Sequence, residues 1–305
     1  MLFDFTEKYL RCVKCNSNLL VETLVHDSEI QEGFLHCINC KAVYPIISSV
    51  PFVLENLSSY FSIRMSLGGQ LLLLSKSDKM KLFIKGVLRK IPHASDDTSA
   101  VEEKWVGIYK HSMRSQFYSK IKSLMHRLPV SNLVLEHGCS IGQVAQESAK
   151  RNLCVFGIDK SFYGILEAKK HQRKNSDFIV SDSLNSPFGN QKFDLVIALN
   201  LLDIVEPRKL LHVVSRQTKK FLVLSDPYDF ERGKRSVKAK TTPEELRLLV
   251  KGIGFKLIQN TTRPNYIPWK LNVNPRLSLN YKVDLIVAQK TRSVALSLES
   301  AGLSS

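Results

Sequence analysis

The chain has 305 residues, of which 44% are hydrophobic and 24% charged, a composition typical of a globular protein with about two domains. Its longest leucine-rich stretch, residues 68–75, is far too short to cross a bilayer, and the N-terminus lacks the apolar segment of a signal peptide. We therefore expect a cytoplasmic protein without a transmembrane segment. The net charge of +16 favours an acidic partner, either a nucleic acid, an acidic protein or a membrane surface.

Four of the six cysteines form two tight pairs in the first 55 residues. Two residues separate Cys12 from Cys15 and Cys37 from Cys40, and twenty-one residues lie between the pairs. This spacing predicts a zinc ion held by four thiolates, and it differs from the disulfide framework of a secreted protein. Zinc would supply folding energy that so small a segment lacks. The alternative is four reduced cysteines without a metal.

Residues 1–55 resemble the zinc-ribbon family of the small activator subunit of tRNA and translation-factor methyltransferases. The resemblance rests on the cysteine pairs and on the residues that follow them: Tyr44, Pro45, Ile47, Val50 and Pro51. In that family the ribbon is a partner or regulator of a methyltransferase. The resemblance therefore implies a small zinc-ribbon domain that is fused here to a larger unit.

Residues 56–128 are predicted to form a helical linker or lid. Residues 79–91, KMKLFIKGVLRKI, place apolar side chains on one helical face and lysines opposite, and residues 101–128 repeat the pattern. Such a basic amphipathic helix could lie on a membrane or on RNA, although packing against the protein's own core is the favoured interpretation.

Residues 129–291 alternate between strand and helix patterns, which predicts an α/β fold with a mostly parallel sheet covered on both faces. The predicted strands are 132–136, 153–158, 177–180, 193–199, 220–225, 255–260 and 281–290. The predicted helices are 143–151, 161–173, 206–217 and 242–252. Ligands of such sheets bind at the carboxyl ends of the strands. Residues 292–305 are predicted to be a flexible tail.

A glycine-containing loop follows the first of these strands. Dinucleotide binding would require glycines at three positions, and counted from Gly138 the second and third are Ser140 and Gln143. The spacing of Glu136, Gly138, Ser140 and Gly142 instead resembles motif I of the class I S-adenosylmethionine-dependent methyltransferases. The resemblance implies that this loop passes under the methionine part of the cofactor. We expect Ser140 to be tolerated if its φ is negative.

The resemblance extends over residues 132–290 and implies a Rossmann-like, seven-stranded methyltransferase sheet whose last strand is antiparallel. It implies that Asp159, after the second strand, binds the ribose hydroxyls of S-adenosylmethionine, and that Asp182, after the third, binds the adenine amino group. Residues 193–207 are similar to motif IV, which implies that Asn200 lies beside the transferable methyl. The alternative reading of each acid is a helix cap or a surface loop residue.

The residues that would orient the methyl acceptor follow the fourth and fifth strands. The pattern LNLLD, which contains Asn200 and Asp203, and the later DPYDF, which contains Asp226 and Tyr228, are similar to methyltransferases of imidazole nitrogens. The resemblance implies catalytic roles for Asn200, Asp203 and Tyr228, with Asp203 or Asp226 accepting the proton. Alternatively, Asn200 and Asp203 cap the next helix and Tyr228 packs in the core.

The expected function is methyl transfer from S-adenosylmethionine to a small-molecule or protein acceptor, with an imidazole nitrogen as one candidate. RNA, particularly tRNA, is the alternative acceptor, and a non-catalytic basic adaptor is the alternative class. Aromatic and basic residues do not interleave as base stacking would require, whereas Tyr266 and Trp269 are expected to wall a compact pocket. The sequence does not indicate the oligomeric state.

Overall fold

The computed structural model describes residues 3–91, 96–234, 236–258 and 260–291. The predicted tail, 292–305, lies outside the described residues. Within the described ranges, each helix is too short or too polar to cross a bilayer.

The chain begins with a small β-rich segment, continues through helices, and ends in alternating strands and helices. The first segment contains α1 (Phe3–Tyr9), β1 (Leu19–His26), β2 (Ile30–Cys37), β3 (Val43–Ile47) and β4 (Val50–Val53). The helical segment contains α2 (Leu57–Ser62), α3 (Met65–Leu74), α4 (Asp78–Leu88), α5 (Ser99–His111) and α6 (Gln116–Arg127). The last segment contains β5 (Leu133–His137), α7 (Gln143–Ser148), β6 (Cys154–Asp159), α8 (Phe162–Lys169), β7 (Ser176–Ser181), β8 (Phe193–Leu199), α9 (Pro207–Gln217), β9 (Thr218–Asp226), α10 (Pro243–Gly252), β10 (Phe255–Ile258), β11 (Ile267–Asn274) and β12 (Leu277–Lys290).

These strands form one continuous sheet. Its order is β1-β2-β3-β4-β7-β6-β5-β8-β9-β12-β10, and β11 pairs with the first half of β12. The strands from β7 to β9 run parallel, whereas β12 runs antiparallel to both β9 and β10. The prediction of an α/β, mostly parallel sheet with an antiparallel last strand is therefore confirmed. Strand order reverses between β5 and β8, which places a ligand crevice at their carboxyl ends.

The cysteine-containing segment is an extension of the larger sheet. Strand β4 pairs in parallel with β7, where Phe52 lies opposite Val180 and Val53 opposite Ser181. The Phe52 ring is buried and stacks on Phe162 at the start of α8, with centroids 5.5 Å apart. Backbone pairing and this apolar contact join the two parts, because an unpaired β7 edge would expose a row of backbone donors and acceptors.

One strand was not anticipated from the sequence. Strand β11 alternates exposed and buried residues, and it lengthens the sheet by forming a hairpin with the extended start of β12. The segment IPWKLNVN contains a proline and two asparagines, which are depleted in strands, so local propensity indicated an insertion. Pairing with β12 overrides that propensity.

Candidate active site

The loop between β5 and α7 has an unusual backbone. Gly138, Ser140 and Gly142 have φ values of +64°, +48° and +70°, so Ser140 does not meet the condition of a negative φ. The Ser140 backbone N–H donates to Asp159 at 2.8 Å, which holds the strained residue in place. A Cβ atom at Gly142 would lie 2.7 Å from the Cβ of Ala168, so glycine is required there.

Two carboxyl groups support this loop from below. The two oxygens of Asp159 accept from the backbone N–H groups of Ser140 and Ser161, at 2.8 and 2.7 Å. Burial raises the pKa of Asp159. Glu136 is buried, accepts from the backbone N–H of Ala145 at 2.7 Å, and has its pKa raised to about 8 by burial. Each Asp159 oxygen keeps a second lone pair for a ligand hydroxyl.

A cavity of about 290 Å³ opens above the loop. Five of the predicted cofactor residues line it, namely Glu136, Gly138, Ser140, Asp159 and Asn200. Parallel strands place these residues together because each lies at or just after the carboxyl end of β5, β6 or β8.

Aromatic side chains form the opposite wall of the cavity. Helix α5 contributes Trp105 and Tyr109, α6 contributes Phe117 and Tyr118, and β11 contributes Trp269. The rings of Tyr109 and Trp269 are parallel within 2°, with centroids 6.4 Å apart, and Phe117 lies 5.6 Å from Trp269. The buried Nε1 of Trp269 has no hydrogen-bond partner among the described residues. The wall is therefore predominantly aromatic.

Polar groups lie at the end of the cavity beyond β8. Asn200, with φ +53°, accepts from the Ser225 hydroxyl through Oδ1 at 2.7 Å. The buried Asp203 accepts from Nη1 of Arg232 at 2.9 Å, and its Oδ1 has no hydrogen-bond partner within the described chain. Burial raises the pKa of Asp203 to about 6, although Arg232 opposes this shift. Asn200 and Arg232 line the cavity, whereas Asp203 lies behind Arg232.

The structure separates two other predicted residues from the cavity lining. Tyr228 donates its hydroxyl to Asp284 at 3.0 Å, and Asp284 also binds Arg247 at 2.6 and 2.8 Å. Asp182 forms an ion pair with Lys160 at 2.8 Å and lines an adjoining cavity of about 290 Å³. Lys160 lines both cavities, so Asp182 lies near the Asp159 end of the first cavity.

Sequence reasoning missed several charged residues of the site. Arg232 lies in the run ERGKR, which is typical of a solvated loop. Arg64, just before α3, and Glu102 on α5 pair at 2.7 Å and line the cavity, although no local pattern indicated their positions. Of the two aromatic residues expected to wall a pocket, Trp269 does so, whereas Tyr266 is exposed.

The four paired cysteines come together at the far end of the molecule's sheet. Their sulfur atoms all lie within 4.8 Å of one another, with 3.5 Å between Cys12 and Cys40 and 3.3 Å between Cys15 and Cys37. A tetrahedral zinc with bonds of about 2.3 Å would hold its sulfurs about 3.8 Å apart. The Tyr44 hydroxyl lies 3.0 Å from the Cys12 sulfur, as a supporting group around a metal site would. The donor set therefore fits zinc.

Comparison with known proteins shows similarity to methyltransferases in the segment that contains the glycine loop. Residues 134–220 match the family model described as a methyltransferase domain. Demethylmenaquinone methyltransferase of Paenarthrobacter aurescens is 35% identical over 91 residues, which is 30% of this chain and 36% of that protein. Cycloartenol-C-24-methyltransferase 1 of Oryza sativa is 27% identical over 200 residues, which is 56% of this chain and 58% of that protein. The chain thus spans only part of the length of these relatives.

A solved structure shares the fold. It is a chain from the complex between the Haloferax volcanii Trm112 methyltransferase activator and a methyltransferase, with 16% identity and a TM-score of 0.50 over 64% of this chain and 98% of that one. The glycine loop thus lies in a stretch of sequence that matches methyltransferase domains, and the fold is shared with this solved structure.

Proposed function

We propose that the protein is an S-adenosylmethionine-dependent methyltransferase that acts on a small-molecule or protein acceptor. The observation that carries this proposal is a single cavity bounded by Ser140 and Asp159 at one end, by Asn200 and Arg232 at the other, and by aromatic rings between them. The match of residues 134–220 to methyltransferase domains supports it.

The residues at the loop end fit the cofactor. Asp159 has two unused lone pairs for the ribose hydroxyls, and Gly138 lines the cavity without a side chain. Asp182, beside Lys160, would bind the adenine amino group where the two cavities adjoin. When bound, S-adenosylmethionine supplies an electrophilic methyl group on its sulfonium.

The residues at the other end would orient the acceptor. Because Asn200 uses Oδ1 to accept from Ser225, its amide N–H groups remain for a ligand. Asp203 lies behind Arg232 and would accept the proton of a neutral nucleophile through its unpartnered Oδ1, since its pKa is about 6, whereas burial and the charge of Asp203 raise that of Asp226 to about 8. Asp203 is the better acceptor because it is ionised at neutral pH. Tyr228 would have only a positioning role, because its hydroxyl donates to Asp284.

The proposed methyl acceptor follows from the aromatic wall of the cavity and not from the substrates in the relatives' names. The relatives named for demethylmenaquinone and cycloartenol match only 30% and 56% of this chain, so these substrates are not carried over to it. Apolar rings around a small cavity suit a compact planar acceptor, and an imidazole nitrogen is one candidate. The net charge of +16 favours RNA as the second candidate.

We further propose that Cys12, Cys15, Cys37 and Cys40 hold a structural zinc. A site with four sulfurs has no open position for a substrate, so its role is to fold the segment that carries β4. The pairing of β4 with β7 supports a ribbon that stabilises the methyltransferase domain within the same chain.

Isothermal titration of the full chain with S-adenosylmethionine tests the central proposal. We expect saturable binding of about one molecule per chain, as one enclosed site predicts. No heat of binding at millimolar cofactor would favour the alternative, a basic adaptor with a methyltransferase fold.

A further inference from the structure

Helix α3 presents apolar side chains to solvent without any charge of its own. Its sequence, MSLGGQLLLL, contains no ionisable residue, and Leu73 and Leu74 at its end are 86% and 56% exposed. Surface helices normally place charged residues on the solvent face. Leu82 on α4 is 68% exposed as well. A helical surface with three exposed leucines is therefore unusual in contact with water.

The exposed leucines lie at one end of a helical hairpin. A Cβ atom at Gly68 of α3 would lie 2.6 Å from Leu88 of α4, and only residues 75–77 connect the two helices. The helices therefore pack antiparallel, with Leu73, Leu74 and the first turns of α4 at the same end. Leu67 and Leu71 form the buried face of α3, so the exposed leucines are not needed for this packing.

Basic side chains accompany the leucines. Lys85 and Arg89 follow Leu82 at three and seven residues, which is the spacing of one helical face, and Lys76 lies in the connection. These three cations are exposed and make no ion pair with any described part of the chain. The acid of this surface, Asp78, lies 3.7 Å from Lys81.

We propose that this hairpin surface, consisting of Leu73, Leu74, Lys76, Leu82, Lys85 and Arg89, docks on an anionic lipid bilayer. Exposed leucines beside lysines match the acyl chains and the phosphate groups of such a bilayer, because apolar burial and charge attraction add in interfacial helices. RNA would use the cations but not the leucines, and it binds better to aromatic rings, which this surface lacks.

The test is flotation of the full, zinc-replete chain with vesicles of equal parts phosphatidylglycerol and phosphatidylcholine, without S-adenosylmethionine. We expect binding to these vesicles and little to phosphatidylcholine alone, with affinity that falls as salt rises. Changing Leu73→Ser and Leu74→Ser together should lower the partition coefficient at least about tenfold, because two leucines no longer enter the bilayer. Lys85→Glu with Arg89→Glu should lower it similarly.

The matched control is Leu248→Ser, which removes a leucine of similar exposure, 66%, from α10. It should bind vesicles as the unchanged chain does, and all variants should keep the same melting midpoint. Absent vesicle binding, equal loss in the Leu248→Ser control, or binding of single-stranded RNA in place of vesicles would each overturn the proposal. Because cofactor is absent, the result is independent of methyltransferase activity.

Discussion

Ser140 occupies a backbone conformation that glycine adopts more readily than serine. Its φ of +48° costs a residue with a Cβ atom roughly 1–2 kcal/mol, while glycine loses more freedom on folding. Ser140→Gly should therefore raise the free energy of unfolding by at most about 1 kcal/mol, measured by chemical denaturation, and retain cofactor affinity. Ser140→Ala keeps the strain and should give no gain. A less stable glycine variant would show that the hydroxyl group contributes more than the strain costs.

Asp159 both supports the loop and faces the cavity. Asp159→Ala should weaken S-adenosylmethionine binding by at least about 1.5–3 kcal/mol in calorimetry, the usual value for hydrogen bonds to a charged group. The domain should stay folded, because Asp159 lies at a strand end. Asp78→Ala, which removes a carboxylate with 94% side-chain exposure, is the control and should bind normally. Unchanged affinity in Asp159→Ala would contradict the assignment of the ribose site.

Asp203 should give the reaction its pH dependence. Its pKa is raised by burial to about 6, and only the ionised form can accept a proton. The rate constant kcat should therefore rise as pH increases through about 6 and level off above it. Asp203→Asn should lower kcat and remove this step, with cofactor affinity nearly intact. A pH profile that keeps its step in Asp203→Asn would assign the proton to another group.

At the level of elements, the cysteine-containing segment should depend on its metal. Metal analysis of protein prepared under reducing conditions should find about one zinc per chain, and Cys37→Ser should release it and destabilise β1 to β4. Because β4 pairs with β7, the loss should extend to the edge of the larger sheet. Cys154→Ser, which changes a cysteine outside the cluster, should retain zinc. Zinc-free protein would contradict the prediction.

A feature could be predicted from the sequence when neighbouring residues determine it, and could not when contacts between distant parts of the chain determine it. Strand periodicity and the loop from Gly138 to Gly142 are local, so the parallel sheet and several residues that line the cavity could be predicted. Arg232 and Trp269 reach the cavity only through the packing of β9, β11 and β12, which leaves no local signal. The positive φ of Ser140 also depends on a distant partner, Asp159. These features depend on tertiary contacts, which local sequence patterns do not indicate.

At the level of the whole molecule, charge and cavity favour different acceptors. The net charge of +16 favours RNA, yet part of the basic surface lies with exposed leucines on the α3–α4 hairpin. The cavity itself is small and has an aromatic wall. A macromolecular acceptor would have to insert a single group into it, whereas a small acceptor would fit entirely. A direct assay can therefore distinguish a macromolecular acceptor from a small one.

Salt dependence distinguishes the acceptors. If RNA is the acceptor, binding should weaken steeply with salt, because each neutralised phosphate releases counterions. If it is a small imidazole or a histidine side chain, the rate should change little with salt, because few charges pair in the complex.

The assay uses labelled S-adenosylmethionine with total tRNA, peptides and small imidazoles in parallel, and Asp203→Asn as the catalytic control. We expect labelled small molecule or peptide, since the polar groups near the proposed methyl position, Asn200 and Arg232, stand within an aromatic enclosure suited to a planar ring. Transfer of label to tRNA alone, with a steep salt dependence and no labelling by Asp203→Asn, would overturn this preference. The basic surface would then be the one that binds the substrate.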